Sequence, residues 1–572
     1  MNPKPNFLGK EKKQVREQLT KLVDEASQEI QKSFSDIGIG FPVAFTVPKN
    51  ETYGDYATNL ALTMAKVMKQ PPMKIAESLV DQIPAGVSWL KKIEVVKPGF
   101  INFFLKNEAF QDLLPLIIDQ KEGFGQILRA KGKKVQIEFV SANPTGPLHI
   151  GHGRGAALGA VLANLLRATG YEVTTEYYLN DLGTQMENLG RSIQARFKEL
   201  RGEESLFPEN GYKGEYIKEI AAEILKGQAD RPADGSNLDL AFFSLYGRQA
   251  ILKDIQKDLE NFGIKFDHWF SEESLVRQGL VEELIRVMKS KGLFYEKDGA
   301  LWFKSSDFGD EKDRVVVRAN GALTYFASDM AYHLQKFSRG YDRLIDIWGA
   351  DHHGYVPRLK AALQSLGLDP KALTVILVQL VTLIREGKLV AMSTRAGEFV
   401  TLKEVLDEVG KDAARFIFLT RRSDSPLDFD LDLAKKQSNE NPVYYVQYAH
   451  ARVCSVLSVA RSQGFIIEDL DRQTVRLLTL PEERKLCKHL TEYPEEVYQA
   501  AAKLEPHRIP FYLGELAAQF HHYYNHHRIL QEDHELSQAR LILCLAIGTV
   551  IKNALNLLGV SAPQKMMREN ET

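Results

Sequence analysis

The hydrophobic patterning predicts a multidomain chain: a small α+β domain, an α/β domain built on a parallel sheet, and an all-α bundle at the carboxyl end. Three observations carry this. Residues 135–139 read as a strand, and 156–169 place Leu158, Val161, Leu162, Leu165 and Leu166 at helical spacing, with Gly170 set to end the helix. A second strand, 172–179, completes a βαβ unit, whose right-handed crossover leaves a ligand crevice at the strands' carboxyl ends. Apolar runs of buried-strand length return at 341–348 and 374–383 with helical patterning between them, so one parallel sheet continues. From Asn441 onward every periodicity is helical.

In chain order, residues 10–36 are helical and charged, with a basic cluster at Lys10, Lys12, Lys13 and Arg16. Strands are expected at 41–47 and 93–104 around a helix-rich centre, 57–83, with Asn102 the outward polar residue of its strand. A helical connector follows at 107–130 and leads to the basic run Arg129, Lys131, Lys133 and Lys134. Residues 185–295 are charge-rich and helical without strand patterning, which predicts an insertion into the α/β domain. Strand patterning resumes at 314–318. Asn320-Gly321 predicts a type I′ hairpin turn, with 322–326 returning. After a polar loop at 392–398, Thr401-Leu-Lys-Glu404 is a capping box that opens a helix. The expected units are thus 1–106, a connector 107–130, an α/β domain 131–385, a loop and contact region 386–440, and a bundle 441–572.

A chain of 572 residues exceeds one hydrophobic core. A net charge of −2 excludes a protein that is basic throughout, but local basic patches suffice for phosphate contacts. The three cysteines, Cys454, Cys487 and Cys544, are widely spaced, which predicts reduced, mostly buried thiols and no zinc pair. No signal-peptide core stands at the amino terminus, and the apolar runs at 372–384 and 541–551 fall short of the ~20 residues of a membrane span. A cytoplasmic compartment without membrane association is expected.

The loop of the βαβ unit carries the chemistry. Gly151-His-Gly-Arg-Gly-Ala156 satisfies a dinucleotide pattern, but eleven residues, 140–150, separate the strand from its first glycine, and that fingerprint requires the glycine directly after the strand. The better reading takes His149-Ile-Gly-His152 as the active element. Histidines three apart in a first helical turn share a face at the positive end of the helix dipole, where ring N–H groups can donate to phosphate oxygens. Gly151 lets a base or ribose approach the backbone. Gly349-Ala-Asp-His-His353 follows a buried strand and reaches the same crevice; with no second ligand set, the expectation is no bound metal.

Asn143-Pro-Thr-Gly-Pro-Leu-His-Ile-Gly-His152 matches the HIGH signature of class I aminoacyl-tRNA synthetases. Its flanks, Glu138-Phe-Val-Ser-Ala-Asn143 and Gly153-Arg-Gly155, resemble the arginyl-tRNA synthetase family. Residues 53–105 resemble that family's extra amino-terminal domain. Asp412-Ala-Ala-Arg-Phe416, residues 441–452 and Leu558-Gly-Val-Ser-Ala-Pro563 resemble its helical anticodon-binding module. The resemblance implies a Rossmann-like catalytic domain and an arginine–tRNA ligase. Such an enzyme activates L-arginine with ATP, Mg²⁺ accompanying the phosphates, and transfers it to tRNA(Arg), as a monomer. Pro147, Leu148, His149, Ile150, Gly151, His152 and Gly349 are then expected at ATP. The class's KMSKS loop corresponds to Ala391-Met-Ser-Thr-Arg395, which lacks both lysines. Met392 and Ser393 keep their places, and Arg395 is the nearest replacement, with Lys388 a lesser one. His149, His152, Ser393 and Arg395 are the expected catalytic set.

Arginine's planar fork calls for carboxylates. The resemblance assigns Glu138, Asn143, Tyr325 and Asp329 to it and places Gly349–His353 beside the adenosine and the arginine, so Asp351 and His152 complete the expected arginine contacts. Capping of a helix is the alternative role for Asp329. Asn102, Tyr444, Tyr448, Arg452 and Tyr524 are the expected tRNA contacts. The last belongs to His521-His-Tyr-Tyr-Asn-His-His-Arg528, whose rings can stack on unpaired bases. The alternative is a synthetase-like tRNA-binding protein without catalysis, for which the missing lysines speak.

Overall fold

The structure is a computed structural model that describes residues 15–32, 41–229, 238–390 and 400–566. Helix α1 (Val15–Lys32) precedes β1 (Tyr56–Thr58), α2 (Leu60–Met68), α3 (Pro72–Asp81), β2 (Leu90–Val96) and β3 (Phe100–Leu105). These strands form an antiparallel sheet in the order β1-β3-β2. The strand expected at 41–47 is a single bridge, Thr46 to Ala57. Asn102 does not face outward. It is 4% exposed, and its neighbours Ile101 and Phe103, on the opposite face of the middle strand β3, are covered as well.

Helices α4 (Asn107–Gln111) and α5 (Leu113–Gln120) lead to β4 (Lys134–Glu138), α6 (Ile150–Ala168) and β5 (Glu172–Leu179), the expected βαβ unit. Gly170 ends α6 with φ +98°. The insertion contributes α7 (Thr184–Leu200), α8 (Glu215–Ala229) and α9 (Leu240–Asn261), but it is not wholly helical. Within it β6 (His268–Ser271) pairs parallel with β5. Four residues, His-Trp-Phe-Ser, are too few for an alternating pattern to register; the strand exists because β5 offers an edge.

After α10 (Glu272–Arg277) and α11 (Leu280–Ser290), β7 (Phe294–Lys297), β8 (Ala300–Phe303) and β9 (Arg314–Val317) form an antiparallel sheet. The turn at Asn320-Gly321 is present, with only Gly321 at positive φ (+82°), so it is not type I′. Its return is one bridge, Val317 to Leu323, because α12 (Tyr325–Ser338) starts two residues later. Next come β10 (Arg343–Gly349), α13 (Tyr355–Ser365), β11 (Leu373–Val378), β12 (Val381–Arg385) and β13 (Lys388–Leu389). The run 374–383 is thus two strands in two sheets, broken where the Gln379 N–H turns to the Ser423 carbonyl at 2.8 Å. The central sheet has the order β11-β10-β4-β5-β6, all parallel. The chain runs outward from β4 in one direction and returns on its other side. The switch point between β4 and β10 opens a crevice at their carboxyl ends.

Helix α14 (Leu402–Phe418) begins with the expected capping box: Thr401 Oγ1 accepts from the Glu404 N–H at 3.1 Å, and Glu404 from the Thr401 N–H at 2.7 Å. Strand β14 (Leu427–Asp430) and α15 (Leu431–Lys435) lead into the bundle of α16 (Pro442–Ser462), α17 (Pro481–Ala502), α18 (Arg508–His526) and α19 (His534–Leu558). By length and composition α19 could cross a membrane, but 72% of its apolar window is buried in the protein, so it is the core helix of the bundle. Arg484 on α17 pairs with Asp55 at 2.9 Å and Arg16 with Glu492 at 2.8 Å, which docks the amino-terminal domain on the bundle. The three cysteines are unpaired, and Cys487 and Cys544 are buried.

Candidate active site

The loop leaving β4 begins in strained backbone. Val140 has φ +68° and Ser141 φ +42°, a region that costs a β-branched residue on the order of 1–3 kcal/mol. Neighbouring elements hold it there. The Tyr177 hydroxyl donates to the Ala142 carbonyl at 2.9 Å, the Tyr216 hydroxyl to that of Thr145 at 2.7 Å, and Asn143 Nδ2 to Gln185 Oε1 at 2.8 Å. The inserted helices α7 and α8 therefore brace the loop.

His149 is the N-cap of α6 and His152 its third residue. Each Nδ1 accepts the other's backbone N–H, at 3.4 and 3.3 Å, and the rings stack with centroids 3.6 Å apart. With Nδ1 accepting in both rings, the proton of each neutral imidazole sits on Nε2. Burial lowers the pKa of His149. It also lowers that of His152, to about 3, with the His149 ring adding to the effect. The pair is thus neutral near pH 7, with Nε2–H groups that can donate hydrogen bonds. Gly151 has a reason beyond ligand access, since a Cβ there would lie 3.0 Å from His149 Cε1.

One cleft of about 690 Å³ at the switch point collects Glu138, Asn143, His149, Gly151 and His152 from the β4 side, and Tyr325, Asp329, Gly349 and Asp351 from the β10 side. Leu148 and Ile150 are buried in the core, and Pro147 lines a neighbouring cleft between α8 and α9. Leu148 contributes backbone: its carbonyl accepts from the Leu402 N–H at 2.7 Å, and His149 bridges Thr401. The first signature is thereby joined to the residues that follow 391–399. Met392, Ser393 and Arg395 lie outside the described residues. Lys388 is exposed in β13.

The acidic side of the cleft is built by four elements. Glu138, at the end of β4, accepts from Ser141 Oγ at 3.0 Å, from the Tyr332 hydroxyl at 2.8 Å and from Lys336. Asp329 accepts from the Tyr355 hydroxyl, and burial raises its pKa. It caps nothing, because Thr324 is the N-cap of α12. Asp351 lies at the rim, its side chain 78% exposed and 3.4 Å from His352. The fourth carboxylate escaped the sequence reading. Glu272 opens α10 directly after β6, is 4% exposed, and its Oε2 has no hydrogen-bond partner among the described residues. Burial, augmented by Asp329, pushes its pKa up to about 7. A Glu in a charge-rich helical stretch carries no signal of this; only the pairing of β6 with β5 brings it to the cleft. Gln379 also lines the cleft, its carbonyl held by buried Arg154 at 2.8 Å. Among the described residues no cluster of His, Cys, Asp and Glu could hold a metal ion.

A second constellation lies between α16 and α18. Tyr444 and Tyr448 stack with centroids 5.9 Å apart, and Tyr448 lies 5.7 Å from the His521 ring. Arg452 sits 4.8 Å from the Tyr448 ring and 4.5 Å from that of Tyr524. Four of the residues expected at tRNA are thus one patch, with Tyr444, 6% exposed, as its inner support.

Comparison with known proteins agrees with this architecture. Residues 13–105 match the arginyl tRNA synthetase N terminal domain, 114–424 the catalytic domain of class I (R) tRNA synthetases, and 446–566 the DALR anticodon binding domain. The arginine--tRNA ligase of Syntrophotalea carbinolica is 54% identical over 91% of this chain and 94% of its own length. That of Hydrogenovibrio crunogenus is 46% identical over 97% and 100%. The Thermus thermophilus arginyl-tRNA synthetase structure superposes with a TM-score of 0.76 at 23% identity, covering 96% of this chain and 100% of that one, which shows the shared fold. The chain belongs to the arginyl-tRNA synthetase family, ATP-dependent class I ligases that join arginine to tRNA.

Proposed function

We propose that the cleft at the switch point holds ATP over the histidine pair and arginine over the carboxylates. The observation that carries this is their adjacency: neutral N–H donors at a helix amino terminus and a buried acidic wall line one cavity. An arginine carboxylate oxygen attacks the α-phosphorus of ATP, the bond from that phosphorus to the bridging oxygen breaks, and diphosphate leaves. The terminal ribose hydroxyl of tRNA(Arg) then attacks the adenylate carbonyl and releases AMP. No protein nucleophile is needed, so catalysis is positioning and charge stabilisation. His149 and His152 donate to phosphate oxygens, with Mg²⁺ arriving on the ATP as part of the substrate. The backbone at Pro147, Leu148, Ile150 and Gly151, with Gly349, borders the nucleotide. Met392, Ser393 and Arg395 are the further partners proposed for the phosphates, which a guanidinium can bind bidentately.

Glu138, Asn143, His152, Tyr325, Asp329 and Asp351, joined by Glu272, receive the arginine. A buried carboxylate facing a guanidinium discriminates strongly, because an uncharged side chain would leave it unpaired. Tyr448, Arg452 and Tyr524, backed by Tyr444, offer rings and charge to anticodon bases. The domain division 1–106, 107–130, 131–385, 386–440 and 441–572 serves these tasks in turn, in a cytoplasmic monomer. Arginine-dependent exchange of diphosphate into ATP, run with and without tRNA, tests the reading. No exchange under either condition would refute it in favour of a non-catalytic tRNA-binding protein. Exchange with lysine but not arginine would refute the specificity.

A further inference from the structure

Three acidic residues stand at one level of the central sheet. Asp346 on β10, Glu138 on β4 and Glu176 on β5 are consecutive partners in register, and they are 1%, 5% and 0% exposed. Strands lie ~4.8 Å apart, so three carboxylates in such a row repel one another unless cations answer them. Helix α12 crosses the row and does so. Lys336, 0% exposed, donates to Asp346 Oδ1 at 2.7 Å and to Glu138 Oε2. His333 spans the Asp329 carbonyl and Asp346 Oδ2, each at 2.8 Å, and Arg339 pairs with Glu176.

The same helix carries Tyr325 and Asp329 into the cleft, and Lys336 follows Asp329 by two helical turns on one face. The position of α12 along the sheet therefore sets where Asp329 stands. A buried ion pair contributes little net stability, and its best-attested use is to select register. We infer that Lys336 is a positioning residue for amino-acid selection, binding Asp346 and Glu138 at once so that α12 presents Asp329 and Tyr325 while Glu138 stays fixed at the cleft floor. The inference rests on the cleft taking arginine.

The electrostatics agree with the geometry. Burial opposes the Lys336 charge, but Asp346 and then Glu138 outweigh it and hold its pKa above the ordinary value. Burial alone would raise Asp346, yet Lys336 and His333 bring it down to about 2. The other groups facing the row are the Tyr332 hydroxyl, 2.8 Å from Glu138 and 2.5 Å from Glu176, and His268 on β6, 2.5 Å from Glu176. From the cleft side come Glu272 and Tyr178.

The test is Lys336→Met, which keeps the stem and removes the charge, assayed by arginine-dependent exchange with tRNA present from pH 6.5 to 9. At pH 7 the KM for arginine should rise about tenfold or more, with kcat and the KM for ATP within about threefold. Buried carboxylates without their cation take up a proton near neutrality, so the arginine defect should shrink towards pH 9. A wild-type arginine KM would overturn the inference. So would a loss shared equally by ATP and constant with pH, which is the mark of a merely structural role. If Lys336→Met lacks a cooperative melting transition, Asp346→Asn decides. It leaves Lys336 on Glu138 alone; an arginine KM raised about threefold at unchanged ATP KM supports the inference, and an unchanged arginine KM overturns it. Wild-type protein without arginine-dependent exchange would instead refute the function itself, and the inference with it.

Discussion

Glu272→Gln is the most informative single substitution in the cleft. Burial pushes this carboxyl up to about 7 from an ordinary 4.5. Between those values the folded protein holds a proton that the unfolded chain has released. Stability therefore falls as pH rises through that window, by on the order of 3 kcal/mol in all. The proposed site pairs arginine's guanidinium with the ionised form, so binding is expected to release a proton. If only the ionised carboxylate binds, the arginine KM exceeds its high-pH plateau by a factor of 1 + 10^(7 − pH), about twofold at pH 7 and about elevenfold at pH 6. His152 cannot produce this slope, because its pKa is already about 3. Glu272→Gln should flatten the slope, raise the plateau KM about tenfold or more through loss of a charge-assisted hydrogen bond, and increase the melting temperature at pH 8. The assay is arginine-dependent exchange from pH 5.5 to 9, with melting curves at the same pH values. An arginine KM that is flat between pH 6 and 8, or a slope that survives in Glu272→Gln, would refute the reasoning.

Other perturbations test other links. His149→Ala and His152→Ala should each lower the rate of adenylate formation ~10²–10³-fold, the scale of lost transition-state donors. Single-turnover rates beside Arg395→Ala check this, and a larger effect at Arg395 would show that the loop, not the pair, carries the phosphate charge. Arg415 is 1% exposed and donates to the Leu558 carbonyl at 2.8 Å and the Phe262 carbonyl at 2.9 Å. Arg415→Met should destabilise the protein by about 2–4 kcal/mol by leaving two buried carbonyls without donors, read from denaturant unfolding. A Cβ on Gly159 would lie 2.2 Å from the Phe139 ring. Gly159→Ala should therefore cost about 1–3 kcal/mol through overpacking and slow exchange by disturbing the strained loop that follows Phe139. Unchanged melting and an unchanged rate would show that the ring simply moves aside.

Much of this was legible without coordinates, and the parts that were share a property. The βαβ unit, the capping box at Thr401 and the helical bundle are local: periodicity and cap chemistry act within one or two turns, so the residues that cause them are adjacent in the chain. The HIGH signature is equally local, because a reciprocal cap needs only positions three apart, as at His149 and His152.

What the sequence did not disclose depends on partners distant in the chain. Residues 268–271 become a strand only because β5 leaves an edge open, and that pairing alone turns Glu272 from a helix-surface residue into a cleft carboxylate. Asn102 reads as outward by alternation but is buried, although Phe100 two residues earlier on the same face is exposed, so alternation alone could not place it. Lys336 looks like one more helical lysine until parallel register stacks Asp346, Glu138 and Glu176 opposite it. The sequence by itself determined which chemistry was available: histidines at a helix start, carboxylates for a cation, rings for bases. Tertiary structure decided which of those groups meet and in which protonation state, because burial and long-range strand register depend on the whole fold.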